Sequence, residues 1–412
     1  MVFGVGAFTQ GVMQALREDG ARVSAYLTRP YAHYGPSIEG KTFDSAAHPD
    51  PFEALAAQKA EFVVPMSIEW ALKPWTQEFL DRRIPILCPT GDALLLERDR
   101  DFARRLCGQH GVAFPASEVA RSLEEARAIV QRTRRPYVIK NPLCSPFSPV
   151  HTIVCESPRE TRAWLERVDY SEGVFLQEYL GRAEAGHIAV VSGGEIYSLV
   201  TNQEYKRAFD GNLGIVAGAP LGGLVERDPE DKYGLARELL HPLLPWFRKV
   251  NFHGPVQVTA IRHHRRWHVL EYNVRLGITS GPMILRLLAN PLEVLRNVVK
   301  NRPPALRWRR GVRYGCSLTL AGYGYPFVSL EGPRVPVEID GTPDCPVWWT
   351  EVALGARGTI EATGHRVADV AAMASTLHGA IRRAYKNIRR IRSLGSYYRL
   401  DVGKSLWPPG SV

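Results

Sequence analysis

The stretch VLEYNVRLG, residues 269–277, decides how this chain is read. On a strand, alternate side chains share a face, so Glu271 and Asn273 point the same way, with Arg275 next in line. A carboxylate and an amide oxygen two residues apart suit Mg²⁺, which takes hard oxygen ligands and leaves its other positions to water or phosphate oxygens. An arginine beside them can stabilise a phosphate in transfer or grip a substrate carboxylate with both arms of its guanidinium. By itself the E-x-N-x-R pattern also describes an ordinary exposed strand face, so the rest of the chain has to decide.

Outward from that segment, RRPYVIK (134–140) reads as a strand ending at Lys140, followed by a loop over 141–149 that contains Pro and Ser. That is either a surface lysine or a point charge placed to meet phosphates. LQEYLGRAEAG (176–186) puts Glu178, Leu180 and Glu184 in a strand-to-turn stretch, and YKRAFDGNLGIVAGAPLGG (205–223) combines Lys206, Arg207 and Asp210 with a glycine-rich loop. Strands and helices alternate over the first ninety residues, which predicts a parallel sheet with helices on both faces. Strands are expected at VFGVG, ARVSAYL, EFVVPM and IPILCP (84–89), with a helix over 10–19. Gly4-x-Gly6 is a tight turn or a nucleotide-binding loop. Ser122, with Glu125 three residues on, predicts a capping box at a helix start. A mixed middle section with hairpins follows, then short strands from residue 315 and one long helix over 367–391.

A chain of 412 residues is too long for one core, so about two to four structural units are expected. Hydrophobic content of 45% with 23% charged residues is ordinary for a soluble globular protein. The longest apolar runs are strand-sized, far short of the roughly 18–20 residues of a membrane span. No basic segment followed by a long apolar one opens the chain, so a cytoplasmic location without membrane partners is expected. Cys88, Cys107, Cys144, Cys155, Cys316 and Cys345 show no CxxC spacing and read as reduced thiols. The net charge of +10 is concentrated in Arg clusters near 132–135, 262–266, 307–313 and 382–392. Such a field favours anionic ligands. No nucleic-acid-binding signature accompanies it, so nucleic acid is not an expected partner.

Together the segments CPTGDALLLERDRDFARRL (88–106), PYVIK (136–140), VFLQEYLGRAEA (174–185), TNQEYKRAFDGNLG (201–214), VLEYNVRLG and the tail GTIEATGHRVADV…GSYYRLDVG (358–403) make the chain resemble the glycinamide ribonucleotide synthetase family, the phosphoribosylamine–glycine ligases, within the ATP-grasp superfamily. The resemblance implies an α/β and α+β multidomain ATP-grasp fold. It would comprise a Rossmann-like pre-ATP-grasp domain over 1–92, an ATP-grasp domain over 93–312 with a lid near 115–176, and a C-terminal domain over 313–412. It also implies ATP and Mg²⁺ as cofactors, with Mn²⁺ as an alternative ion, and a monomer or homodimer acting on a small carboxylate and an amine.

Carried over position by position, it implies that Lys140 contacts the α- and β-phosphates, that Arg100 replaces a second phosphate-binding lysine, and that Ser145 and Ser148 offer hydroxyls to phosphate. Glu178, Tyr179 and Leu180 would flank the adenine, and Glu184 would bind the ribose hydroxyls. Glu271 and Asn273 would hold the metal. Lys206, Arg207 and Arg275 would serve the reacting phosphate, with Asp210, Gly214, Thr279 and Arg275 on the substrate side.

Three departures from the family pattern fall on the side where phosphoribosylamine would sit. The family's GGREHA loop is replaced by GAFTQG (6–11), its P-E-x-P-L segment by PMSIEW (65–70), and its R-F-G-D-P-E run by RLGITS (275–280). A changed amine is the economical account of three changes in one subsite. A fourth departure puts CSPFSPVH (144–151) where the lid's glycine-rich phosphate loop is usual, and proline lacks an N–H to offer. The leading expectation is therefore a carboxylate–amine ligase with another amine. The alternatives are the phosphoribosylamine–glycine ligase itself and a non-catalytic nucleotide- or polyanion-binding protein.

Overall fold

Short apolar runs near the N-terminus build a four-stranded parallel sheet in the order Lys41–Asp44, Ser24–Leu27, Val2–Phe3, Val64–Pro65. The computed structural model describes residues 1–29, 40–145, 148, 151–322, 324–326, 334–355 and 358–404. Pro146 and Pro149 of the expected lid loop lie outside them. The strand expected over 84–89 is reduced to one bridge between Val63 and Ile86, because Pro85 and Pro89 remove ladder donors on both sides. The first helix begins at Gly6, four residues earlier than its periodicity predicts, and runs Gly6–Glu18. It packs on the helix Ser280–Leu287 and on the strand Val347–Trp349. A β-carbon at Gly11 would lie 2.8 Å from Pro282 and 2.9 Å from Trp348, so only glycine permits that approach. Gln10 and Gln14 fix the contact by accepting from the Trp349 amide and the Trp348 indole.

A second, antiparallel sheet of four strands runs in the order Ser117–Ala120, Val174–Glu178, Tyr137–Lys140, Ile153–Val154. The helices Leu123–Thr133 and Pro158–Leu165 cover it and share a small core with it. Ser122 caps the first helix by accepting from the Glu125 amide, but the Glu125 carboxylate reaches back to the Arg121 amide, one residue beyond the expected partner. The full reciprocal box forms at Ser157 and Glu160 instead.

The largest element is an eight-stranded antiparallel sheet in the order Arg266–Asn273, Gly254–His263, Glu184–Ser192, Glu195–Glu204, Gly222–Arg227, Tyr314–Ala321, Arg366–Ala374, Val347–Trp349. Gly193 and Gly194, both at positive φ, turn its third strand into its fourth, as a tight hairpin requires. The sheet runs unbroken past position 312, since Tyr314–Ala321 pairs directly with Gly222–Arg227. The long helix expected over 367–391 is instead the strand Arg366–Ala374 followed by the helix Leu377–Ile388. Alanine-rich RVADVAAMA has helix-forming composition, but its position between two strands buries Val367 to Ala372 completely, and pairing overrides propensity. The cysteines are free, and among the described residues no helix is long and apolar enough to cross a membrane.

At the cavity end of that strand, Arg366 pairs with Asp369 at 3.2 Å, and Thr319 donates to the same carboxylate oxygen. Asp369 is fully buried, so Asp369→Ala strands a guanidinium in the interior. The expected loss is about 3–5 kcal/mol of unfolding free energy in urea titrations, with a smaller loss for Asp369→Asn.

Candidate active site

Lys140, 5% exposed, ends the strand Tyr137–Lys140, an inner strand of the four-stranded antiparallel sheet. Its Nζ donates to Gln177 Oε1 at 2.8 Å and to the Leu270 carbonyl at 3.2 Å. The second bond crosses to the eight-stranded sheet, one residue before Glu271. Burial pushes the Lys140 pKa down to about 8; Arg100 adds to that, and Glu271 opposes it. The segment after Lys140 is held against the start of the helix Arg100–Gln109 by backbone bonds from Cys144 to Arg98 and from Arg100 to Pro142. Arg100 thereby comes within 3.8 Å of Glu271.

Across the cleft, Lys206 lies 3.0 Å from Glu271, 3.3 Å from Glu184 and 3.9 Å from Glu204. Burial works against its charge, but Glu184, Glu271 and Glu204 outweigh it and hold the ammonium above the ordinary lysine pKa. Burial likewise works against the Glu271 carboxylate. Lys206, Lys140 and Arg100 overcome it and hold Glu271 well below the usual carboxylate range. Arg275 donates to Asn273 Oδ1 at 2.9 Å and lies 3.4 Å from Glu97, whose other oxygen accepts from the Val274 amide at 2.6 Å. Arg207 donates to Glu156 of the lid at 2.9 Å.

These groups line one cavity of about 870 Å³, within the roughly 300–1,000 Å³ span of small-molecule sites. Ser145, Ser148, Glu178, Tyr179 and Leu180 line it too, Ser148 donating to the Leu143 carbonyl and Glu178 accepting from Arg135. Three residues expected on the substrate side are not among its lining. Asp210 accepts from the Leu400 amide, so it anchors the C-terminal segment. Gly214 sits in the exposed hairpin of Arg207–Phe209 and Leu213–Val216, with its carbonyl taken by Arg207. Thr279 is buried behind Glu204, to which it donates at 3.3 Å.

The structure adds Glu97, Gln177, Glu204 and Gln257 to the site. Glu204 ends the strand Glu195–Glu204 two residues before Lys206, so the two are already neighbours in sequence. Glu97 has no local signal, because only packing of its short helix Leu95–Arg98 brings it to Arg275. The oxygens gathered here are carboxylates of Glu271 and Glu204 and amides of Asn273 and Gln257, and Gln257 Oε1 is buried without a hydrogen-bond partner. That set is hard and free of sulfur or imidazole, so it fits Mg²⁺ or Mn²⁺.

Residues 98–279 match the family model described as the phosphoribosylglycinamide synthetase ATP-grasp (A) domain. Phosphoribosylamine–glycine ligase of Clostridium acetobutylicum is 28% identical over 80% of this chain and 80% of its own length. The Xanthomonas axonopodis pv. citri enzyme of the same name is 26% identical over 93% and 92%. The crystal structure of phosphoribosylamine–glycine ligase from Thermotoga maritima superposes with a TM-score of 0.76 at 25% identity, over 97% of this chain and 98% of that one.

The chain is a phosphoribosylglycinamide synthetase-like ATP-grasp ligase.

Biotin carboxylase of Campylobacter jejuni, solved as its beta-gamma-ATP complex, has a TM-score of 0.69 at 11% identity over 96% of this chain and 92% of that one, a likeness of fold alone. In the ATP-grasp ligase described here, two outcomes follow from the charges. Bound phosphate favours the Lys140 ammonium, so a nucleotide complex keeps that proton to higher pH than the free protein. Affinity for a non-hydrolysable ATP analogue is expected to be level below pH 8 and to fall above it, by up to about tenfold per pH unit, in titrations from pH 6.5 to 9.5. Lys140→Met should flatten the profile. Glu97→Gln leaves Arg275 without its counter-charge, and ADP formation is expected to slow roughly ten- to hundredfold in a coupled assay, with the melting temperature checked in parallel.

Proposed function

We propose that this protein is an ADP-forming ligase that joins a small carboxylate, an amino acid or a similar acid, to an amine through an acyl phosphate. The observation that carries the proposal is the convergence of Lys140, Arg100, Lys206 and Arg275 on Glu271 and Asn273 in one cavity between two sheets. A carboxylate cannot acylate an amine directly, because oxide is too poor a leaving group. Transfer of the γ-phosphoryl group to the carboxylate oxygen makes the acyl phosphate and releases ADP. The amine then bonds to the acyl carbon, the bond to the phosphate oxygen breaks, and the amine proton leaves with phosphate.

Magnesium or manganese, held by Glu271 and Asn273 with Glu204 beside them, would supply neutralising charge to the nucleotide phosphates. Lys140 and Arg100 bind phosphate oxygens, and Ser145 and Ser148 add hydroxyls from the lid. Glu178, Tyr179 and Leu180 hold the base, and Glu184 takes the ribose hydroxyls. Lys206 and Arg275 steady the phosphoryl group in flight and the acyl phosphate, with Arg207 tethered to the lid beside them. Because Lys206 keeps its proton, it acts as a cation and not as a base. Closing the lid excludes the water that hydrolyses acyl phosphates.

The shared name of the relatives favours glycine and phosphoribosylamine as substrates. A specific observation favours another amine. Gly4 and Val5 and the first turn of the helix Gly6–Glu18 line the cavity and bring no basic side chain to meet a phosphate, and another amine is the reading we adopt for the acceptor. Hydroxylamine distinguishes a ligase from a mere binder, because it traps acyl phosphates whatever the natural amine. With Mg-ATP and a panel of amino acids, hydroxamate and ADP are expected in equal amounts for the proper carboxylate, and Glu271→Gln should lower the rate at least about a hundredfold. Nucleotide binding without hydroxamate for any carboxylate supports the binder instead, and ADP formation that requires both glycine and phosphoribosylamine supports the purine reaction.

A further inference from the structure

Three strands of the eight-stranded sheet bring carboxylates to one point of the cavity. Glu184 opens the strand Glu184–Ser192, Glu204 closes its antiparallel neighbour Glu195–Glu204, and Glu271 lies near the end of Arg266–Asn273. The Lys206 ammonium stands among them, 3.0 Å from Glu271, 3.3 Å from Glu184 and 3.9 Å from Glu204. Carboxylates gathered this closely repel one another unless a cation stands between them, and here the chain supplies that cation itself. The amide oxygen beside them is engaged in the same way, since Asn273 Oδ1 accepts from Arg275 at 2.9 Å. One lysine thus holds both the carboxylate assigned to the metal, Glu271, and the one assigned to the ribose, Glu184.

The main chain here is pinned. The Lys206 carbonyl accepts from the Ala217 amide at 2.8 Å, and both backbone groups of Tyr205 are bonded, to the Gly222 carbonyl and the Leu221 amide. The ammonium, by contrast, ends a flexible four-carbon stem, so it exchanges partners by side-chain rotation without moving the backbone. Lys140 is placed differently. It brings positive charge near Glu271, but its Nζ donates to Gln177 Oε1 and to the Leu270 carbonyl, both neutral oxygens. Lys206 acts on the carboxylates by contact, and Lys140 acts on them through its field.

We propose that Lys206 is a built-in competitor of the divalent cation: its ammonium holds Glu271, with Glu184 and Glu204, against the ion until nucleotide phosphates draw it away. This rests on the nucleotide and metal reading given above and adds an order of events at the same site. An ion that has to displace an internal cation binds with its affinity reduced by the fraction of time the oxygens stand open. Phosphate oxygens offer the ammonium other partners and so restore that affinity. By linkage, the ion strengthens nucleotide binding by the same factor. Lys206 thereby makes the ion conditional on the nucleotide.

The test titrates the full chain with Mn²⁺ alone, the free ion being counted by its electron paramagnetic resonance signal. Lys206→Met is expected to bind Mn²⁺ at least about tenfold more tightly than the parent. Lys140→Met removes the same charge without freeing a carboxylate oxygen, and should gain no more than about threefold. Lys206→Arg keeps a cation among the carboxylates and should bind as the parent does. Adding Glu271→Gln to Lys206→Met should abolish the gain. Because Lys206→Met leaves three carboxylates facing one another and its folding is at risk, the unaltered chain supplies a second reading. Crystals grown alone should show Nζ among the carboxylates. With Mg²⁺ and a non-hydrolysable ATP analogue, Nζ should lie beyond about 4 Å, the limit of an ion pair, from Glu271 and Glu184. No gain in Lys206→Met, an equal gain in Lys140→Met, or Nζ still on Glu271 in a complex whose ion sits on Glu271 and Asn273 overturns the proposal alone. An ion bound away from Glu271 and Asn273 overturns the metal assignment, and the proposal with it.

Discussion

Buried charge has to be balanced, and in this protein the balance is struck between two sheets. Lys140, 5% exposed, comes from the four-stranded antiparallel sheet, while Glu271 and Lys206, 27% and 23% exposed, belong to the eight-stranded sheet side, where opposite charges offset one another. A buried ion pair seldom stabilises a fold more than well-packed apolar groups do, because desolvation offsets the attraction. Such a cluster is better explained by the anions it is built to receive. Lys206 rests among three carboxylates and Arg275 against Asn273 and Glu97, so the cations and the oxygen donors keep one another in place.

The same balance explains how the lid is attached. The Lys140 bond to the Leu270 carbonyl and the Arg207 bond to Glu156 join the two sheets at points where the partners are polar and exchangeable. The lid keeps an apolar core of its own, made by its two helices and its sheet. The other walls are tied more firmly. Gly11 lets the first helix close on Trp348, and the two indole-bearing residues after Val347 are hydrogen-bonded to Gln10 and Gln14. The N-terminal sheet and the end of the eight-stranded sheet thus form one rigid side of the cavity.

From end to end the cavity changes character. Near Lys140 it is dense in charge and hard oxygen donors; near Phe8 and Ile278 it mixes partly exposed apolar side chains with ions paired elsewhere, Glu69 with Lys73 and Arg366 with Asp369. A reaction that turns a carboxylate into a phosphorylated anion and then delivers it to an amine makes use of both ends. The charged end lowers the cost of crowding phosphate oxygens.

The alternation in VLEYNVRLG was enough to place Glu271 and Asn273 on one face, and the strand ending at Lys140 was equally plain from its apolar run. Those are local facts, fixed by a two-residue period and by chain chemistry. Composition misled at RVADVAAMA, where helix-forming alanines lie in a strand buried between two others, and at residues 84–89, where prolines cut a predicted strand to one bridge. The family resemblance put Asp210, Gly214 and Thr279 on the substrate side, yet none of them lines the cavity and their hydrogen bonds go elsewhere. Glu97 and the meeting of Phe8 with Ile278 in one cavity were invisible locally for the converse reason. Each depends on segments dozens to hundreds of residues apart meeting in space, and no local period encodes such a meeting. The sequence by itself determined which residues could do chemistry; only tertiary packing decided which of them share a cavity and which face one another across it.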